Sequence, residues 1–299
     1  MTKYQKKSTT QIQREIAAKV IANMETAGTN WLRNWAVPAN QQPTSMSTGK
    51  AYNGINWLIL GISRMANGFQ SGQWATYNQW KKLGAQVRKG SKSETVILYK
   101  PAIGKDKETG EEFSYTYMTS FNVFNADQVD GFDAATNDGP DWANADNPVT
   151  IADDIAERVG APVRHDNLVQ AFCDAGGNYI NMPYVSQFDT QAGYAATLFH
   201  ELIHWTGATS RLDRESFKKY AQHRAFEELT AELGAAMLAG VTGVSPEPRM
   251  DHSKYLNSWI ERIKKDPKAI FKAAAQASKA STFILDGAKV QQNKVNQAA

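Results

Sequence analysis

The chain has 299 residues, 42% of them hydrophobic, with 33 Lys and Arg, 30 Asp and Glu and a single cysteine. That length accommodates two domains with a core in each, the lone cysteine excludes an intramolecular disulfide and fits a reducing compartment, and no apolar run approaches the roughly 18 residues of a membrane span. The net charge of +3 conceals a division: residues 1–125 hold 16 Lys and Arg against 7 Asp and Glu, and the remainder is acidic, so the two halves are expected to have separate tasks, the first with an anionic partner.

The positive start Met1–Lys7 is followed by no apolar segment, so no secretory leader is expected and a cytoplasmic protein is the simplest inference. A first helix follows, because Ile12, Ile16, Val20 and Met24 recur every four residues and Gly28 stops the run. After Trp31-Leu32-Arg33-Asn34-Trp35 comes a Pro-, Ser-, Thr- and Asn-rich loop from Pro38 to Gly49. Residues 52–65 read as a second helix and 73–82 as a third. Beyond Gly84 the pattern changes to a strand and turn at 86–90 and a β-branched strand at 95–99. Then come a polar hairpin turn at 105–112 and an alternating return strand at 113–124. The expectation for residues 1–130 is an α+β domain, helices first and a small antiparallel sheet after.

In that half Lys81, Lys82, Arg88, Lys89 and Lys92 crowd beside Trp74, Tyr77 and Trp80. Single-stranded nucleic acid is held by cations that follow the phosphates and by rings that stack on bases of any identity. These eight residues are therefore candidates for DNA contact. The same three aromatic residues stand at helical spacing, which suits a core stripe as well as a platform, and no motif for sequence-specific duplex readout is present.

Residues 131–147, with their Gly, Pro, Asp and Asn, have the composition of a linker. A second domain is expected over 148–288, with a flexible tail at 289–299. It starts with a helix at 149–159 capped by Thr150 and a short strand from Val163. Phe172 then precedes the turn Asp174-Ala175-Gly176-Gly177, and a strand at 178–183 ends at Pro183. If that strand is a sheet edge, it can hold an extended peptide by strand addition.

The next stretch, Thr197-Leu198-Phe199-His200-Glu201-Leu202-Ile203-His204-Trp205-Thr206-Gly207, reads as a helix capped by Asp189 or Thr190. At 3.6 residues per turn His200 and His204 share a face and can converge on one ion. Glu201, about 100° away, can reach a water at that ion without being a ligand. Leu198, Leu202 and Trp205 hold the helix in the core from another side. With 5 histidines in 299 residues, a chance H-E-x-x-H is expected far less than once. A catalytic zinc takes three protein ligands and leaves a fourth position to water. The helical run Ala225–Leu238 offers the third: Glu228 for the metal and, one turn on, Glu232 for the free ring nitrogen of a ligating histidine. Glu227 is the competing ligand. The small face Gly234-Ala235-Ala236 lets two helices approach closely. Between these helices Tyr220 and His223 are candidates for stabilising an oxyanion. Pro246-Glu247-Pro248 breaks the chain, and residues 255–263 and 269–285 close it as two helices.

The run Ala196–Gly207 together with Phe226-Glu227-Glu228-Leu229-Thr230-Ala231-Glu232-Leu233-Gly234-Ala235-Ala236 resembles the zincin-type metallopeptidase domain of the ArdC family of antirestriction proteins. Trp74-Ala75-Thr76-Tyr77-Asn78-Gln79-Trp80 and Gly84-Ala85-Gln86-Val87-Arg88-Lys89-Gly90 resemble that family's N-terminal domain. The resemblance implies a plasmid-encoded protein with an N-terminal single-stranded-DNA-binding domain and a C-terminal zincin-like domain, which shields incoming conjugative DNA from restriction. The expected activity is peptide hydrolysis at Zn2+ or Mn2+ held by His200, His204 and Glu228, with Glu201 as general base. A subunit of a restriction system is one protein target. The alternative is a protein that occludes single strands and leaves the metal site structural or unused.

Overall fold

The computed structural model of the chain describes residues 7–31, 42–132, 147–166, 169–244 and 252–298. Most of the expected linker (133–146), residues 32–41 with the start of the first loop, and the Pro246-Glu247-Pro248 break lie outside the described residues. The front half runs α1 (Thr9–Ala27), β1 (Thr44–Ser45), α2 (Gly54–Asn67), β2 (Gln73–Thr76), α3 (Tyr77–Lys82), β3 (Gln86–Val87), β4 (Glu94–Lys105), β5 (Glu112–Asn125) and β6 (Val129–Asp130). The back half runs α4 (Pro148–Val159), β7 (Val163–His165), β8 (Phe172–Asp174), β9 (Tyr179–Met182), α5 (Gln191–Trp205), α6 (Glu215–Lys218), α7 (Tyr220–Thr242), α8 (His252–Lys265) and α9 (Lys268–Ala298). The class is α+β, and among the described residues no helix is long and apolar enough to cross a membrane.

The sheet of the front half has the order β1-β2-β5-β4, with β3 and β6 forming a separate pair. The stretch expected as a third helix divides: Gln73–Thr76 pairs antiparallel with β5, and the helix starts only at Tyr77. A capping box makes the break. Thr76 N donates to Gln79 Oε1 at 2.8 Å, and Gln79 N donates to Thr76 Oγ1 at 3.4 Å, which satisfies two orphan amides at that point and no other. Asn147, rather than Thr150, caps α4, its Oδ1 accepting from Val149 N at 2.9 Å and Thr150 N at 3.4 Å; Pro148 occupies the first turn, where its missing N–H costs nothing. The last helix is helical in its backbone to Ala298, across the stretch expected to fray.

One core crosses the chain's midpoint. Ile16, Val20 and Met24 of α1, Leu58 and Ile59 of α2, and Val96 and Val123 of the β4–β5 hairpin pack with Leu229 and Leu233 of α7, Trp259 of α8 and Ile270 and Ala274 of α9. Trp31 meets Trp259 edge to face at 6.3 Å, and Gly54 N donates to Ser278 Oγ at 2.6 Å. A second core joins α4, β9 and α5 to the other side of α7 and α9. Helices α7 and α9 therefore serve both cores, and the two halves are fused through them.

The α5–α7 contact is close because Gly234 has no side chain: a Cβ there would lie 2.6 Å from Ile203 Cδ1. Alanine in a helix gains roughly 1 kcal/mol over glycine, whereas overpacking a core costs about 1–3 kcal/mol. Gly234→Val, bulkier and β-branched, is expected to lower stability by at least about 2 kcal/mol in urea denaturation; an unchanged midpoint would show that the helices can separate freely.

Candidate metal centre and basic surface

Helix α5 starts where Thr190 Oγ1 accepts from Gly193 N at 2.9 Å and is buried from Tyr194 to Trp205. Gly207 N donates back to His204 O at 2.7 Å and ends it. The Nε2 atoms of His200 and His204 stand 3.0 Å apart. Glu228 of α7 faces both, its carboxylate 3.4 Å from His200 Nε2 and 3.6 Å from His204 Nε2. One donor from each of the three lies within 4.8 Å of the others, and all three residues are buried.

The far ring nitrogens are held as well. His200 Nδ1 lies 2.9 Å from Glu232, and His204 Nδ1 lies 3.2 Å from Glu227. A carboxylate on Nδ1–H fixes the tautomer and aims the Nε2 lone pair at the centre. Glu227, the competing ligand by position, faces away from the centre onto a buried clamp. Arg214 Nη2 donates to it at 2.6 Å, and Ser216 Oγ donates at 2.5 Å. The same guanidinium donates to Ile203 O and Thr206 Oγ1, each at 2.6 Å, which ties the end of α5 to α7.

Burial by itself would raise the Glu228 carboxyl. His200 as hydrogen-bond partner, the two imidazoles and the Tyr220 hydroxyl outweigh it and hold it at about 2. Four buried carboxylates, Glu201, Glu227, Glu228 and Glu232, surround the imidazoles with Arg214 as the buried guanidinium among them. Such an excess of desolvated negative charge is costly unless a cation offsets it. Two imidazole nitrogens and one carboxylate oxygen suit a divalent first-row ion such as Zn2+ or Mn2+, so the donor set fits a divalent metal.

Glu201 is buried and lines the cleft beside these donors. Across from it stands Cys173 of β8, whose thiol is pushed up to about 12 by burial and, next, by the Glu201 carboxylate. On α7 the positions Tyr220, Arg224, Glu228 and Glu232 all line the cleft, as a spacing of four dictates. The Tyr220 hydroxyl donates to Glu228, and burial followed by that carboxylate raises its pKa. His223 is not among the lining residues, because it sits about 120° round the helix from the middle of that stripe. Sequence reasoning did not single out Arg214 or Cys173. An arginine in a polar stretch and a lone cysteine carry no spacing signal.

The strand beside the cleft is also reassigned. Order β7-β9-β8 puts Tyr179–Met182 in the middle of its sheet, paired on both sides, so it has no free edge to offer. Its edges are β7 and β8, and of these Phe172–Asp174 contributes Phe172 and Cys173 to the cleft.

On the front half, Lys81, Lys82, Arg88, Lys89 and Lys92 are exposed. Tyr77, Arg88 and Lys89 share one shallow depression, and Arg88 is tied to Val129 O at 3.0 Å and Asp130 Oδ1 at 3.2 Å. Trp74 and Trp80 are 1% and 0% exposed, with the Trp80 indole donating to Phe124 O at 3.0 Å. Their faces are committed to the core and are closed to a base. Trp74 enters the large core from β2, whereas Trp80, on the helix that starts after Thr76, enters a smaller cluster with Ala75, Val87 and Val129.

Comparison with known proteins agrees with this division. Residues 10–124 match the N-terminal domain of anti-restriction factor ArdC, and residues 150–276 match a zincin-like metallopeptidase domain. The chain is 31% identical to uncharacterized protein y4eC of Sinorhizobium fredii, over 97% of each. It is 31% identical to a DNA primase TraC of Escherichia coli, of which it spans 28%. It superposes on the metal-free crystal structure of the antirestriction ArdC protein from plasmid R388 with a TM-score of 0.80 and 37% identity, covering 93% of this chain and 98% of that one. The Mn(II)-bound structure of that protein gives 0.77 and 36%. Matched along both halves and almost end to end in three dimensions, this chain belongs to the ArdC family of antirestriction proteins.

Proposed function

We propose that this protein protects incoming plasmid DNA during conjugation by holding it as a single strand through its basic front half and by hydrolysing peptide bonds in a protein target at the centre between α5 and α7. A restriction-system subunit is a fitting target, met where both share the DNA. The observation that carries the hydrolytic reading is the convergence of His200, His204 and Glu228 with the acid Glu201 buried beside them; a purely structural metal has no use for that acid.

His200, His204 and Glu228 would hold the ion, Zn2+ or Mn2+, which when bound polarises the scissile carbonyl and makes water a nucleophile near neutral pH. Glu201 takes the proton from the attacking water and delivers it to the leaving amine. Glu232 and Glu227 keep the imidazoles in the productive tautomer. Tyr220 orients Glu228 and stands within the cleft to donate to a developing oxyanion. An extended peptide would add to the free edge of Phe172–Asp174.

Because the front half shares its core with α7 to α9, binding is tested on the full chain. We expect a labelled single strand to bind in fluorescence anisotropy more tightly than its duplex. The affinity should fall linearly with salt on a logarithmic scale. A flat salt response would remove the phosphate-tracking surface.

A further inference from the structure

The hairpin β4–β5 is anchored at its base and bare at its far end. Asn56 of α2 grips the outer edge of β4, donating to Ile97 O at 2.7 Å and accepting from Ile97 N at 2.9 Å. Lys19 pairs with the buried Glu94 at 2.5 Å. Beyond that base both strands turn their faces to solvent. Strand pairing puts Phe113, Tyr115, Tyr117 and Phe121 on one face, opposite Gly104, Ala102, Lys100 and Val96. The four rings are 51%, 47%, 44% and 41% exposed.

Successive ring centroids are 5.9 and 6.4 Å apart from Phe113 to Tyr115 to Tyr117, and Lys100 Nζ lies 5.9 Å from the centroid of Phe121. The small partners Gly104 and Ala102 leave the rings uncovered, the tip of Phe113 lying over Gly104. Among the strand residues of this face, Lys100 is the one charged side chain beyond the buried Glu94. Glu112 lies on the opposite face, 3.3 Å from Lys105. Rings in a row, a cation among them and no carboxylate among the bare strand residues of that face suit a ligand with flat apolar units on an anionic chain. The ring spacing is close to twice the roughly 3.4 Å rise of a stacked nucleotide, so successive rings can take successive bases of a stretched strand or alternate bases of a stacked one.

We propose that this hairpin face, Phe113, Tyr115, Tyr117 and Phe121 with Lys100, is the base-stacking track for single-stranded DNA. The proposal rests on the single-strand-binding reading above and relocates the stacking surface from the buried Trp74 and Trp80. Stacking on rings is indifferent to base identity, so the track is expected to accept any sequence. The phosphates would run past Lys100.

The test uses the full-length protein and a fluorescein-labelled oligo-dT of about twenty nucleotides in anisotropy titrations across salt. Removing two stacking rings, Tyr115→Ser with Tyr117→Ser, is expected to weaken binding at least about 30-fold. The melting temperature and the salt slope should stay at the parent's values, because no phosphate contact is lost. Lys100→Ala should reduce the slope by about one, and the paired Tyr→Trp changes should restore binding. If the parent binds oligo-dT and the double-serine variant binds within twofold of it, the track lies elsewhere while the single-strand reading stands. If the parent does not bind, both are overturned. Tighter binding of the matching RNA, or a parent dimer that the double-serine variant converts to monomer in light scattering, would replace single-stranded DNA by another occupant and overturn the proposal as well.

Discussion

Glu201→Gln is expected to leave the metal affinity of the protein within about twofold of the parent and to cut hydrolysis of any peptide the parent cleaves by about 10²–10⁴-fold. The side chain keeps its size and one acceptor, and it sits next to the three converging donors without being one of them. What it loses is the ability to take a proton from water. Isothermal titration with Zn2+ and with Mn2+ reads the first half, and single-turnover cleavage reads the second. Cleavage at the parent's rate by this variant would remove Glu201 as general base. The same variant separates the two routes to antirestriction: loss of protection against a restriction endonuclease in a conjugation assay requires proteolysis, and full protection assigns the effect to strand occlusion.

Breaking the clamp behind His204 is expected to cost both stability and metal. Glu227→Ala leaves the Arg214 guanidinium buried without the carboxylate it contacts at 2.6 Å. Removing one partner of a buried pair costs about 3–5 kcal/mol. It also frees His204 Nδ1, and loss of such support weakens metal binding about 10–100-fold. Glu227→Gln, which keeps the volume and an acceptor, should recover most of the stability and only part of the metal affinity. The pH dependence has a definite sign. Burial would raise the Glu227 carboxyl, but the hydrogen bond to His204 and the charge of Arg214 hold it at about 2 against an ordinary 4.5. Its folded pKa is thus depressed. The stabilisation, about 3 kcal/mol from that difference, is fully present above pH 4.5 and is lost as the pH falls toward 2. Urea denaturation from pH 6 to 3 should show the parent losing stability more steeply than Glu227→Ala; parallel curves would remove Glu227 as the source.

The candidate metal site was legible because its pattern is local. Two histidines four apart, an acid between them and a second helix with glutamates at i and i+4 define faces before any tertiary contact exists. The choice between Glu227 and Glu228 was weaker, since adjacent residues lie only about 100° apart on a helix. The crossing of α5 over α7 at Gly234 and Ile203 brings Glu228 to the imidazoles and turns Glu227 onto Arg214. The aromatic cluster misled for a related reason. Trp74 and Trp80 occur in a basic stretch, but a capping box at Thr76 and Gln79 splits the expected helix, leaving Trp74 on a strand in one core and Trp80 on a helix in another. Tyr115 and Tyr117 raised no signal, because alternation in a strand looks the same whether the apolar face meets a core or water.

By itself the sequence determined the α+β class, the family resemblance, the polarity of charge between the halves and the residues able to meet a divalent ion. The class, the charge division and the ligand faces follow from composition and from the 3.6- and 2-residue periods, and the resemblance from the residues of the motifs themselves. Only tertiary structure decided that the halves share a core through α7 and α9, that the sheet edge lining the cleft is β8, and that rings are bare on one hairpin while both indoles beside the lysines are buried. The physical reason is that burial depends on which surfaces meet across long stretches of chain, and a periodic pattern states that a face is apolar without naming what will cover it.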